Sequence, residues 1–156
     1  MKQRFLHSLA LAALAVVIGL PGAGCKSLDQ PASASFASVE ISGHTADQIR
    51  AATVVVFQQD GYSSQNLKRK EMVFEKEGSR WDQIAYGDWV ISGGVWIRVK
   101  AAVVPLADGR YRLECTAYRV TNKGTPTFEE EVRFTNARSK PFQALLDKVA
   151  QQLRRS

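Results

Sequence analysis

Apolar and polar side chains alternate twice between Val95 and Tyr118, and this is the clearest pattern in the chain. Val95, Ile97, Val99, Ala101 and Val103 fall on one face of an extended segment, with Trp96, Arg98, Lys100 and Ala102 on the other. Pro105, Asp108 and Gly109 mark a turn. The chain then returns with Tyr111, Leu113, Cys115 and Ala117 on one face and Arg112, Glu114, Thr116 and Tyr118 opposite. This predicts an antiparallel hairpin with an apolar core face and a charged outer face. Asn122, Lys123 and Gly124 predict the next turn and residues 131–134 a further strand, so that Glu114 and Glu131 are expected to pair with Arg98, Arg112 and Arg133 across strands. Upstream, Met72 and Phe74 alternate with Val73 and Glu75, a strand closed by Glu77, Gly78 and Ser79.

The period becomes helical on either side of these strands. Thr45, Ala46, Asp47 and Gln48 spell a capping box, in which the Thr hydroxyl and the Gln side chain each satisfy a free backbone N–H. Ile49, Ala52 and Val56 continue one stripe with Phe57 beside it, and Asp60 with Gly61 ends it, predicting a helix over residues 45–60. Val54, Val55 and Val56 are β-branched in succession and also suit a strand, but the two end signals outweigh that run. Ser139 and Pro141 open a last helix, with Phe142, Leu145, Leu146, Val149, Ala150 and Leu153 on one face. Phe36, Val39 and Ile41 suggest a short first strand. Two helices with single apolar stripes need an apolar sheet face to cover. The fold expected is therefore α+β, a two-layer sandwich of an antiparallel sheet of four or five strands with two helices on one face.

The N-terminus reads as an address. Lys2 and Arg4 precede an apolar run of twelve residues, Leu9 to Leu20, and small residues follow at Gly22, Ala23 and Gly24. Crossing a membrane takes about 20 apolar residues, so an uncleaved anchor would have to count His7, Ser8 and Pro21. Ala23, Gly24 and Cys25 resemble the end of a bacterial lipoprotein signal, with Gly22 where such precursors usually carry an aliphatic residue. The resemblance implies cleavage before Cys25, acylation of its thiol and stable anchoring by more than one acyl chain. Lys26 and Ser27, with no Asp beside the cysteine, imply the outer membrane, facing the periplasm. Ordinary cleavage after Gly22 is the alternative. The expected organisation is a signal peptide over residues 1–24, a lipidated cysteine and tether over 25–38, and one domain over 39–156. In element order that domain resembles the helix-grip domains of accessory lipoproteins in outer-membrane assembly machines.

Composition narrows the chemistry. Without residues 1–24, 19 basic and 15 acidic residues remain, a net charge of about +4, which suits an anionic lipid or glycan surface and is too diffuse to indicate nucleic acid. With Cys25 acylated, Cys115 has no intramolecular partner and is expected to be a buried apolar side chain; without acylation the two could form a disulfide. His44 is the only histidine beyond residue 24 and sits before a helix cap, so neither a metal site nor a Cys–His pair is indicated. Glu129, Glu130 and Glu131 are successive in a strand and are not expected to converge. Ser92, Gly93 and Gly94 precede a strand and lack the donor cluster of a helix N-terminus. No cofactor is implied.

Trp81, Tyr86, Trp89 and Trp96 lie within seventeen residues and are the candidate partner-binding side chains, because Trp and Tyr are enriched at interfaces. The expectation is a non-catalytic interaction or assembly-accessory module, anchored to the membrane, with an envelope protein or glycan as partner. The alternative is a periplasmic small-ligand carrier whose helix-grip cavity is lined by residues such as Val99, Leu113 and Phe142.

Overall fold

The computed structural model describes residues 36–65, 71–80, 82 and 94–156. In chain order these form β1 (Ala37–Ile41), α1 (Ala46–Gln59), β2 (Ser63–Gln65), β3 (Glu71–Glu77), β4 (Val95–Pro105), β5 (Tyr111–Thr121), β6 (Glu130–Arg133) and α2 (Lys140–Leu153). Short 3₁₀ turns at Ala107–Gly109 and Asn136–Arg138 precede β5 and α2.

The α+β fold stands as expected, with one more strand than the alternation shows. The antiparallel order is β1-β5-β4-β3-β2, and β6 pairs with β5 beyond β1. The added strand, β2, is three polar residues opposite Glu75, Phe74 and Val73, too short and too exposed to alternate visibly. The hairpin closes in register, with Val99 opposite Ala117 and Ala101 opposite Cys115. Its turn places Asp108 and Gly109 at φ of 60° and 70°, the left-handed region that Asp and Gly tolerate. β1 begins at Ala37 and Phe36 is buried, so the folded part reaches into the stretch assigned to the tether.

Both helices bury their stripes against one face of the sheet. Ile49, Val56 and Phe57 of α1 join Leu145, Leu146 and Val149 of α2 over Met72, Phe74, Val99 and Leu113. Ala101, Cys115 and Ala117 are small and central in the sheet, which leaves room for helical side chains to approach closely. The capping box at Thr45 and Gln48 forms in both directions, at 2.8 and 3.2 Å. α2 differs at its start. Ser139 has helical backbone angles and makes no side-chain cap, because the preceding 3₁₀ turn runs directly into the helix, with Pro141 in its first turn.

Among the described residues β1 ends the strand order, and a side chain covers its outer edge. Gln143 of α2 accepts from the Ser38 N–H at 3.1 Å and donates to the Ser38 carbonyl at 3.0 Å, so an amide stands where another strand would pair. An open edge is a template for association. Gln143→Ala is expected to cost about 1 kcal/mol and to make the protein self-associate with rising concentration in sedimentation velocity; a concentration-independent monomer would refute the edge-plug role.

Candidate functional site

Two side-chain assemblies stand out, one on each face of the sheet. On the outer face, Glu75 of β3, Arg98 of β4 and Tyr118 of β5 lie side by side across the strands. Arg98 donates through Nε to Glu75 at 2.7 Å and through Nη1 to Glu129 and Glu131 at 2.8 and 2.9 Å. Lys123 reaches the second Glu75 oxygen at 2.7 Å, and Lys100 bonds Glu131. Three carboxylates thus meet three cations. Burial alone would raise the Glu75 carboxyl, but Lys123 and Arg98 outweigh it and hold it below the usual carboxylate range. Glu131 behaves likewise through Lys100 and Arg98, while the Gly124 N–H and Arg98 lower Glu129. The same partners raise Arg98 against its own desolvation.

This corrects the reading of the acidic run. Successive residues of a strand diverge, but Glu129 and Glu131 are two apart, share a face and converge on Arg98. Of the expected cross-strand pairs, Arg98 meets Glu131, whereas Arg112 lies 3.9 Å from Glu40 of β1.

On the helical face a cleft of about 520 Å³ opens where the end of α1, the end of β3 and the start of α2 meet. Tyr62, Ile97, Phe134 and Phe142 give it an apolar lining. One rim carries Lys76, 3.4 Å from Asp60 and 5.2 Å over the Tyr62 ring. The other carries Arg138, which donates to Asp82 at 3.0 Å and lies 4.6 Å over Phe134. Asp82 also accepts from the Ser79 N–H and hydroxyl at 3.0 and 2.6 Å. Burial opposes its ionisation, but Ser79 and Arg138 prevail and keep its carboxyl below the usual range. Gly78 precedes this turn because a Cβ there would stand 2.8 Å from the Val95 carbonyl oxygen, whose hydrogen bond the Gly78 N–H makes.

Of the aromatic candidates, Trp96 lies on the outer face, half-buried, with the Lys123 ammonium 3.5 Å from its ring centroid. One ring face is therefore occupied by a cation–π contact. Trp81, Tyr86 and Trp89 lie outside the described residues, as does Cys25. Of the residues expected to line a cavity, Phe142 does so, whereas Val99 and Leu113 are fully buried in the packed core and do not. Cys115 is buried and unbonded to another cysteine, and burial pushes its thiol up to about 12, so it stays a protonated, apolar group. His44 bonds the Ser42 carbonyl at 3.0 Å in a surface turn. Among the described residues no cluster of three or more His, Cys, Asp or Glu is placed to hold a metal, and no helix is long and apolar enough to cross a membrane.

Phe142 apart, the cleft residues are not singled out by the sequence. One signal was present: Ser79 and Asp82 have the spacing at which a hydroxyl and a carboxylate satisfy one another's backbone N–H groups. No protein-family model matches the chain, and no curated protein matches it either.

Proposed function

We propose that this is a lipid-anchored protein of the bacterial cell envelope, held at the outer membrane through Cys25, whose domain is a non-catalytic interaction module. The observation that carries the binding part of this reading is the cleft, which joins an apolar lining to two ion-paired rims at the open end of the helix–sheet sandwich. Such mixed surfaces orient a partner through a few polar groups while the apolar area supplies affinity. The ion-paired outer face is a poorer contact surface, because its charges already satisfy one another.

Intact mass spectrometry of the protein from a membrane fraction tests the anchor. The expected species begins at Cys25 and carries acyl mass, and Cys25→Ser is expected to lose that mass and leave the membrane fraction. An unmodified wild-type chain in the soluble fraction would remove the lipoprotein reading. A second reading, a small-ligand carrier, is favoured by the cleft volume, which falls within the range of about 300–1,000 Å³ typical of ligand pockets. Its signature would be a co-purifying small molecule, seen as a discrete adduct in native mass spectra and absent after denaturation.

A further inference from the structure

We infer that the groove between the ends of α1 and α2 is a binding site for a phosphate-bearing anion, held by Lys148 and Arg155. The site goes beyond the interaction-module reading and shares only Asp60 with the cleft. Lys148, Gln151, Gln152 and Arg155 recur at helical spacing and form one stripe of α2 and of the turn that follows it. That stripe meets Val56, Gln59 and Asp60 at the end of α1, and together they line a groove of about 300 Å³. Val56 is buried and gives the groove an apolar floor.

The donors in this groove are unengaged. On the outer sheet face Arg98, Lys100 and Lys123 each hold a carboxylate, as do Lys76 and Arg138 beside the cleft. Lys148 and Arg155 hold none, and neither they nor Gln59, Gln151 and Gln152 make a side-chain hydrogen bond among the described residues. The carboxylate in the groove, Asp60, is paired with Lys76, so the two free cations leave the groove positive. Helix ends commonly recruit cations to their last carbonyls, but here those carbonyls have other donors. The Arg154 and Arg155 N–H groups bond the Ala150 and Gln152 carbonyls, and the Ser156 N–H and hydroxyl bond that of Leu153. At the end of α1 the N–H groups of Asp60, Gly61 and Tyr62 bond the carbonyls of Val56, Gln58 and Phe57. A guanidinium fork, an ammonium and three amides offer N–H groups from several directions, and a tetrahedral anion has the oxygens to accept from several at once. A carboxylate presents two oxygens in one plane and reaches fewer of them. The groove is open to solvent, so the phosphate can belong to a small solute or to a lipid headgroup.

The test is an NMR titration of the isotopically labelled full-length protein in a neutral detergent at constant ionic strength. Glycerol phosphate is expected to give saturable shifts confined to the side-chain amides of Gln59, Gln151 and Gln152 and the backbone around them, and acetate is not. Lys148→Gln and Arg155→Gln should each weaken binding about two- to fivefold, the range of one exposed ion pair, and the double variant by about the product. The melting temperature should stay unchanged in all three, because neither cation has a partner among the described residues. Detergent micelles doped with phosphatidylglycerol or with phosphatidylcholine identify the source of the phosphate. Groove shifts with phosphatidylglycerol alone, competed by glycerol phosphate, would assign an anionic lipid headgroup, whereas shifts with glycerol phosphate and with neither lipid would assign a soluble phosphate. No saturable shift, equal shifts with acetate, or binding unchanged in the double variant would overturn the inference.

Discussion

Replacing Phe57 by alanine is expected to lower the free energy of unfolding by about 3–5 kcal/mol, a large part of the 5–15 kcal/mol typical of a domain. Phe57 is fully buried on α1 and touches the sheet through Phe74, with ring centroids 4.4 Å apart and planes inclined by 23°. Tyr62 meets the same ring edge-on at 5.4 Å, which ties the chain after α1 back to the helix. The loss combines the transfer energy of the ring with a cavity that a closely packed sandwich cannot close, since Phe74, Ile49 and Leu146 are themselves fully buried. Urea unfolding should show a lower midpoint with an unchanged slope, because the same surface is still exposed on unfolding. Val55→Ala on the same helix is the comparison: Val55 is 39% exposed and should shift stability by about 0.5 kcal/mol or less. A Phe57→Ala protein within about 1 kcal/mol of wild type would mean that α1 is not anchored through this ring.

The same residues show why so much of the fold can be read from the chain. Phe57, Ile49 and Val56 recur at helical spacing between a capping box and an Asp-Gly ending, and each signal is local, so neighbouring residues suffice to interpret it. The β4–β5 hairpin is legible for a related reason: a one-residue slip would turn Val99, Ala101, Leu113 and Ala117 away from the helices, so the alternation specifies the register. β2 lacks both kinds of signal. It is a three-residue polar edge strand held by β3, and its pairing is a consequence of tertiary structure.

The cleft is illegible on the same grounds. Tyr62 opens a polar stretch, Lys76 lies near the end of one strand, Ile97 near the start of another, and Phe134 with Arg138 leads into a helix. Nothing in their spacing brings them together; sheet order and the entry angle of α2 do. Aromatic density around residues 80–96 directs attention to Trp81, Tyr86 and Trp89, whereas the described geometry offers a cleft whose aromatic members come from three separate segments. Trp96 illustrates the limit of counting rings, because its neighbour in space, Lys123, covers one face and joins it to the ion network.

Arg98→Met is expected to be the second large loss, about 2–3 kcal/mol near neutral pH, because it leaves carboxylates without the guanidinium that desolvation makes necessary. Glu75 bears most of the effect, with its side chain 6% exposed, while Glu129 and Glu131, about a quarter exposed, recover part of their solvation from water. The pH dependence separates this from a simple packing defect. Glu75, Glu129 and Glu131 all have folded-state pKa values below the usual glutamate value, so the unfolded chain binds protons first as the solution is acidified. Their contribution is fully present above about pH 5 and is lost as the pH falls through 4.5 towards the folded values. Wild type should therefore lose stability steeply between about pH 5 and pH 3. In Arg98→Met each carboxyl loses one of the partners that lower it, while Lys123, Lys100 and the Gly124 N–H remain, so the folded values move towards the unfolded ones and the acid slope becomes shallower. Urea midpoints measured across that interval should converge for the two proteins, with most of the difference at neutral pH gone by about pH 3. Parallel curves separated by a constant offset would show that Arg98 acts through packing of its aliphatic stem and not through the three glutamates it holds.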